Sequence, residues 1–278
     1  MLHTLFIVII SILTGIIVFY PIGLLKISFE SPIVILANEV VMLIGITGAT
    51  FLARRFLDKR SIVSLGLTTG PKFLIDIFIG IIIAFFQLGL VFIIEIGMGW
   101  TIFSGFAWQT EPISAVLSGL GLWLGVFIIV GWQEELLSRG YHLQSMESGL
   151  NLFWAVIISS SIFGSLHIFN PGATWVSTIG IILAGLFLAL PYLITRQLWI
   201  SIGLHIGWNF SEGVVFGFPV SGTESFRLLR HSVGGPVLWT GGDFGPEAGL
   251  LIIPGLLLGT LLILAYTKSI PFQKTLKK

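Results

Sequence analysis

The chain has 278 residues, of which 55% are hydrophobic and 10% charged, with a formal net charge of +1 and a mean hydropathy of +1.02. A soluble domain of this length has too little interior to hide so much apolar surface, and so small a charge, with no Lys/Arg cluster set among aromatics, argues against a nucleic-acid partner. The absence of cysteine excludes disulfides, thiolate metal sites and a cysteine nucleophile.

Apolar stretches recur at lengths near the ~20 residues that a bilayer-crossing helix needs. In chain order they predict spans at 4–25, 33–53, 73–97, 113–138, 152–170, 174–195, 198–217 and 248–267. This is an all-α, polytopic transmembrane bundle of about eight helices, one domain over residues 1–278, in contact with the lipid bilayer. The first stretch lacks a basic start and a small-residue cleavage site, so it reads as a retained helix and not as a signal peptide. No internal repeat of the transporter kind and no low-complexity tract interrupts the series. With the N-terminus inside, Arg54, Arg55, Lys59, Arg60, Lys72, Arg139, Arg196, Lys268, Lys274, Lys277 and Lys278 fall on the inner side and Lys26, Arg227 and Arg230 outside, 11 against 3 of the 14 Lys and Arg. Basic residues collect on the cytoplasmic side of short loops, so both termini are expected there.

Polar residues stand out in the early spans. Asn38 and Glu39 in the second, and Asp76 and Glu95 in the third, each read as a partner of a site, a pathway residue or an interfacial charge. Glu39, six residues into its span, is the least comfortable. Trp100, Trp108, Trp132, Trp154, Trp199 and Trp208 read mostly as interfacial anchors.

The fourth span ends in Glu134-Glu135-Leu136-Leu137-Ser138-Arg139. Glu135 and Arg139, four apart, share a helix face and can pair, while Glu134 points about 100° away. One acid is then neutralised and the other left free, a division suited to a general base beside a structural partner. As bare spacing, the same residues also suit charges in the headgroups at the inner end of the span. The fifth span sets Phe163 and His167 on one face, and the seventh sets His205 and Asn209 one turn apart, with Gly203 and Gly207 able to admit a close neighbour. Together the clusters supply an acid, two imidazoles and an amide, the inventory for activating water and stabilising an oxyanion. An intramembrane relay of Glu134, His167 and His205 in a proton-coupled carrier uses the same residues. The one long connection, about 218–247 and predicted external, reads either as an ordinary loop ending with Pro246 and Glu247 in the first turn of the last helix, or as a lid or substrate-guiding loop.

The series E-E-x-x-x-R, F-x-x-x-H and H-x-x-x-N, met here as Glu134 to Arg139, Phe163 to His167 and His205 to Asn209, resembles the CAAX prenyl protease and bacteriocin-processing family of intramembrane proteases, also called Abi or CPBP. The motifs lie within 131–209, in the family's order, and the Gly-Pro-Glu segment at Glu247 looks like a stretch common in bacterial members. The resemblance implies an intramembrane endopeptidase of membrane-associated or lipidated peptides in a bacterial or archaeal cell membrane. In it Glu134 would be the general base, His167 would help hold the water, and His205 and Asn209 would stabilise the oxyanion. Glu135, Arg139 and Phe163 would support the site. Members are described both as metalloproteases and as glutamate proteases. Zinc on Glu134, His167 and His205 is therefore open, although no H-E-x-x-H step is present and the reading leans to no tightly bound metal. A catalytically silent immunity or partner-binding protein is the alternative the family itself offers.

Depth sets a further expectation. Glu134 near the inner end of one span and His167 near the outer end of the next meet only if the fourth helix runs on past Arg139, to about Glu147. Arg139 is then buried and paired.

Overall fold

Long runs of Ile, Leu, Val and Phe leave the backbone few ways of satisfying its own polar groups in lipid, and helices are the way this chain takes. The computed structural model describes residues 2–24 and 31–269. Lys26, Lys274, Lys277 and Lys278, which enter the charge-based orientation, lie outside the described residues. Six helices among those described are long and apolar enough to cross a membrane: Leu2–Leu24, Ile33–Leu57, Phe73–Gly97, Ile113–Gly149, Leu152–Phe169 and Trp175–Thr195.

The elements are α1 (Leu2–Leu24), α2 (Pro32–Leu52, continued by a π turn over Ala53–Leu57), α3 (Phe73–Gly97), β1 (Thr101–Phe106), α4 (Ile113–Glu135), α5 (Leu143–Gly149), α6 (Leu152–Leu166), α7 (Trp175–Thr195), α8 (Trp199–Asn209), β2 (Leu229–Val233), α9 (Val237–Thr240) and α10 (Ile252–Ser269). Local chemistry sets several boundaries. Asn151 caps α6 by accepting from Trp154 N at 3.0 Å, and Thr174 and Ser177 cap α7 reciprocally. Arg196, in a left-handed conformation (φ 56°), ends α7.

Two of the eight expected spans differ in form from the six. The seventh is α8 plus a π turn over Phe210–Val215, and every residue of α8 is buried. It forms the axis of the bundle instead of facing lipid. The eighth begins at Ile252, and Ile252–Lys268 is a shorter apolar helix. Pro246 and Glu247 do not open it; they form a separate 3-10 turn over Pro246–Ala248. The all-α expectation holds for the bundle, but β1 and β2 pair antiparallel from Thr101 opposite Val233 to Phe106 opposite Leu229, with a bulge between Phe103 and Gly105. The 218–247 connection is therefore partly a sheet strand and not a plain loop. Trp199 and Trp208 are interior residues and not interfacial anchors.

α8 lies directly against α3 because glycines remove the side chains between them. A Cβ on Gly203 would stand 2.1 Å from the Ile77 carbonyl oxygen, and one on Gly207 would stand 2.5 Å from the Ile81 Cα. A core of Leu88, Phe92, Leu204, Trp208 and Phe216 fills one side, and Leu136, Tyr192, Leu198, Ile202 and Ile206 fill the other. The two ends of the bundle differ. At one, Arg54 bonds Gln144 at 2.8 Å, Leu198 N donates to Gly66 O at 2.9 Å, and Arg196 pairs with Glu147 at 2.9 Å. At the other, the sheet is tied in by Ala107 N to Leu228 O and Leu228 N to Val214 O, at 2.9 and 2.7 Å.

Candidate active site

α4, a π turn over Leu136–His142 and α5 form one apolar span of 37 residues from Ile113 to Gly149. The fourth helix thus runs on past Arg139, and its polar cluster sits inside the span. Gln133, Glu134 and Glu135 are consecutive and point in three directions. Gln133 Nε2 donates to Glu39 Oε2 on α2 at 2.9 Å. Glu135 Oε1 accepts from Arg139 Nη1 at 2.7 Å and from His205 Nδ1 at 2.8 Å. The pair is sealed, with Glu135 0% and Arg139 2% exposed. Arg139 Nη2 donates to Gly185 O on α7 at 2.8 Å, and the guanidinium lies 4.5 Å from the centre of the Phe163 ring. Two charges that would be expensive alone in an apolar bundle are thereby paired and hydrogen-bonded.

Glu134 takes the third direction, toward the two imidazoles. His167 holds its Nδ1 2.8 Å from Phe163 O, and a carbonyl can only accept, so the proton sits on Nδ1 and Nε2 is left facing inward. His205 is oriented in the same sense by Glu135 below it. The two Nε2 atoms stand 3.9 Å (His167) and 3.8 Å (His205) from Glu134 Oε2. Those separations are too long for direct hydrogen bonds and suit one bridging water. Glu134 Oε2 is itself buried with no hydrogen-bond partner among the described residues.

These groups face a cavity of about 270 Å³ whose polar lining includes Glu134, His167, His205 and Asn209, with Phe163 in the wall. Most of the remaining wall is apolar, with Ile35 of α2, Trp123 and Phe127 of α4, and Leu188 of α7. All seven residues singled out from the sequence meet here: five line the cavity, and Glu135 and Arg139 lie buried behind it. Polar lining residues outside the motifs include Glu39, Ser221 and Glu247. Glu39 carried a signal, a charge six residues into an apolar span. Glu247 is 6% exposed and accepts a hydrogen bond from the Ser221 hydroxyl. Its turn lies so close to α7 that a Cβ on Gly180 would stand 1.9 Å from the Glu247 carbonyl oxygen. The reading of Glu247 as a helix-start acid does not describe this placement, and the Gly-Pro-Glu pattern pointed toward it.

The donor chemistry of Glu134, His167 and His205 would suit zinc, but their spacing does not. Ligands about 2.0–2.2 Å from a tetrahedral zinc stand roughly 3.4 Å from each other, whereas these atoms are 3.8 and 3.9 Å apart. Among the described residues no group of three or more His, Asp or Glu is placed to hold a metal ion.

Residues 114–211 match the protein family described as Type II CAAX prenyl endopeptidase Rce1-like. The match runs from the start of α4 into the π turn after α8 and takes in all three motifs. No curated protein and no solved structure matches the chain.

Proposed function

We propose, from the premise that residues 114–211 are those of an Rce1-like CAAX prenyl endopeptidase, that this multi-pass membrane protein hydrolyses a peptide bond of a membrane-associated substrate with water activated by Glu134. The whole chain is read as a single domain serving this site. The observation that carries the reading is the convergence of both imidazole Nε2 atoms, within 4 Å, on one buried oxygen of Glu134 at the wall of a largely apolar chamber.

A water bridging Glu134 Oε2 and His167 Nε2 is polarised from two sides. Glu134 takes its proton as the oxygen attacks the peptide carbonyl, the step a positioned carboxylate speeds by about 10²–10⁴-fold. The carbonyl π pair moves onto oxygen. The Asn209 amide donates to that oxyanion, and so does His205 Nε2 once protonated, a charge that Glu135 beneath Nδ1 favours. Glu135, Arg139 and Phe163 hold His205 and the helix wall still.

The test is hydrolysis by the purified chain in detergent of a library of amphipathic and lipidated peptides, read by mass spectrometry. New termini are expected with the natural sequence and none with Glu134→Gln. If the variant processes the same peptides at the same rate, the reading fails.

A further inference from the structure

We propose that Glu247 is the general acid of this site: its carboxyl supplies the proton taken by the departing amine as the peptide C–N bond breaks. The inference rests on the hydrolase reading above and adds to it the residue that completes the proton balance.

An amide nitrogen leaves poorly as an anion, so collapse of the tetrahedral intermediate needs a proton donor, either the base handing on the proton it took from water or a second acid that is already protonated. The groups in the chamber leave few choices. His167 has its Nδ1 proton committed to Phe163 O, and His205 has Nδ1 committed to Glu135 and, in the mechanism above, Nε2 committed to the oxyanion. Glu39 has both oxygens engaged as acceptors, from Gln133 Nε2 on one and Asn38 Nδ2 on the other, at 2.9 and 3.4 Å. Glu247 is different. Its Oε2 accepts from the Ser221 hydroxyl, and since that hydroxyl donates, the proton of the neutral acid belongs on Oε1.

The surroundings favour that neutral acid. Burial pushes the Glu247 carboxyl above the usual carboxylate range, with the Ser221 hydrogen bond and the nearby His167 and His205 acting in the opposite direction. A second buried acid, Glu212, lies behind the same loop, where a Cβ on Gly245 would stand 3.3 Å from its Oε1. Two neighbouring buried carboxyls hold a proton between them more readily than two negative charges. The position is also fixed, because the Pro246–Ala248 turn packs against the bare backbone of Gly180 on α7. In the step itself the oxyanion pair re-forms the carbonyl, the C–N pair goes to nitrogen, and nitrogen takes the Glu247 proton. Glu134 then returns the proton it took from water to Glu247 through solvent in the chamber. The net change is one water and one amide converted to one acid and one amine.

The experiment compares two substrates with the same acyl part, a peptide amide and an activated aryl ester whose leaving group needs no proton. With Glu247→Gln the ratio of amide to ester turnover is expected to fall by about 10²-fold, with Ser221→Ala shifting it in the same direction. Glu134→Gln should lower both rates together. An unchanged ratio in folded Glu247→Gln chain, or in Ser221→Ala chain should Glu247→Gln not fold, overturns the assignment while leaving the hydrolase intact. A natural chain that cleaves neither substrate overturns the hydrolase reading and this inference with it.

Discussion

One residue of helix turns a side chain by about 100°, which is enough to give Glu134 and Glu135 opposite work. Glu135 is sealed between Arg139 and His205, whereas Glu134 keeps a bare oxygen at the cavity wall. Substitution should therefore separate the two. Glu134→Gln changes no strong bond and should melt with the natural protein in detergent. Glu135→Gln leaves Arg139 buried without its counter-charge, a loss of about 3–5 kcal/mol when one partner is stripped from a buried pair. Adding Arg139→Met should restore part of the melting temperature and none of the activity. Thermal unfolding followed by intrinsic fluorescence measures this, and equal melting of the Glu135→Gln and natural chains would refute the structural role given to the pair. At this scale much was readable in advance. Four-residue spacing put Glu135 beside Arg139, and the depth of the two spans required the helix extension that buries Arg139. Ser221 carried no signal and Glu247 only its Gly-Pro-Glu pattern, because tertiary packing and no helical repeat brings them to the motifs.

Packing between elements decides whether the motifs meet. Gly203 and Gly207 flank His205, and their spacing announced a close neighbour; that the neighbour is α3, through Ile77 and Ile81, depends on long-range packing. Gly203→Ala would drive a methyl into the Ile77 carbonyl, and α8 must then move, carrying His205 and Asn209 with it. The expected cost is about 1–3 kcal/mol of overpacking, with peptide hydrolysis lost beyond what the stability change explains. Gly125→Ala, on α4 where a Cβ meets nothing within 4 Å, is the matched control and should leave both unchanged. If the two variants behave alike, the α3–α8 contact does not position the site. The same logic explains the unread strands. Ile102 and Phe103 look like any short apolar run, and only the partner at Arg230–Val233 turns 101–106 into an edge of sheet.

The molecule as a whole is polarised. Arg54, Arg55, Lys59, Arg60, Lys72 and Arg196 gather at the end where α3 begins and α7 stops, while the sheet end holds Arg227 and Arg230, each paired with a glutamate. Basic residues in short loops stay on the cytoplasmic side, so the sheet and the 218–247 connection are expected outside. The chain has no cysteine, which makes the orientation measurable without first removing any. Arg60→Cys and Ser104→Cys both place a thiol at an exposed position, one at each end. In intact cells a membrane-impermeant maleimide should label Ser104→Cys and spare Arg60→Cys, and permeabilisation should expose both. The reverse pattern would put the basic end outside and turn the proposed topology over, while leaving the chamber between the two ends as it stands.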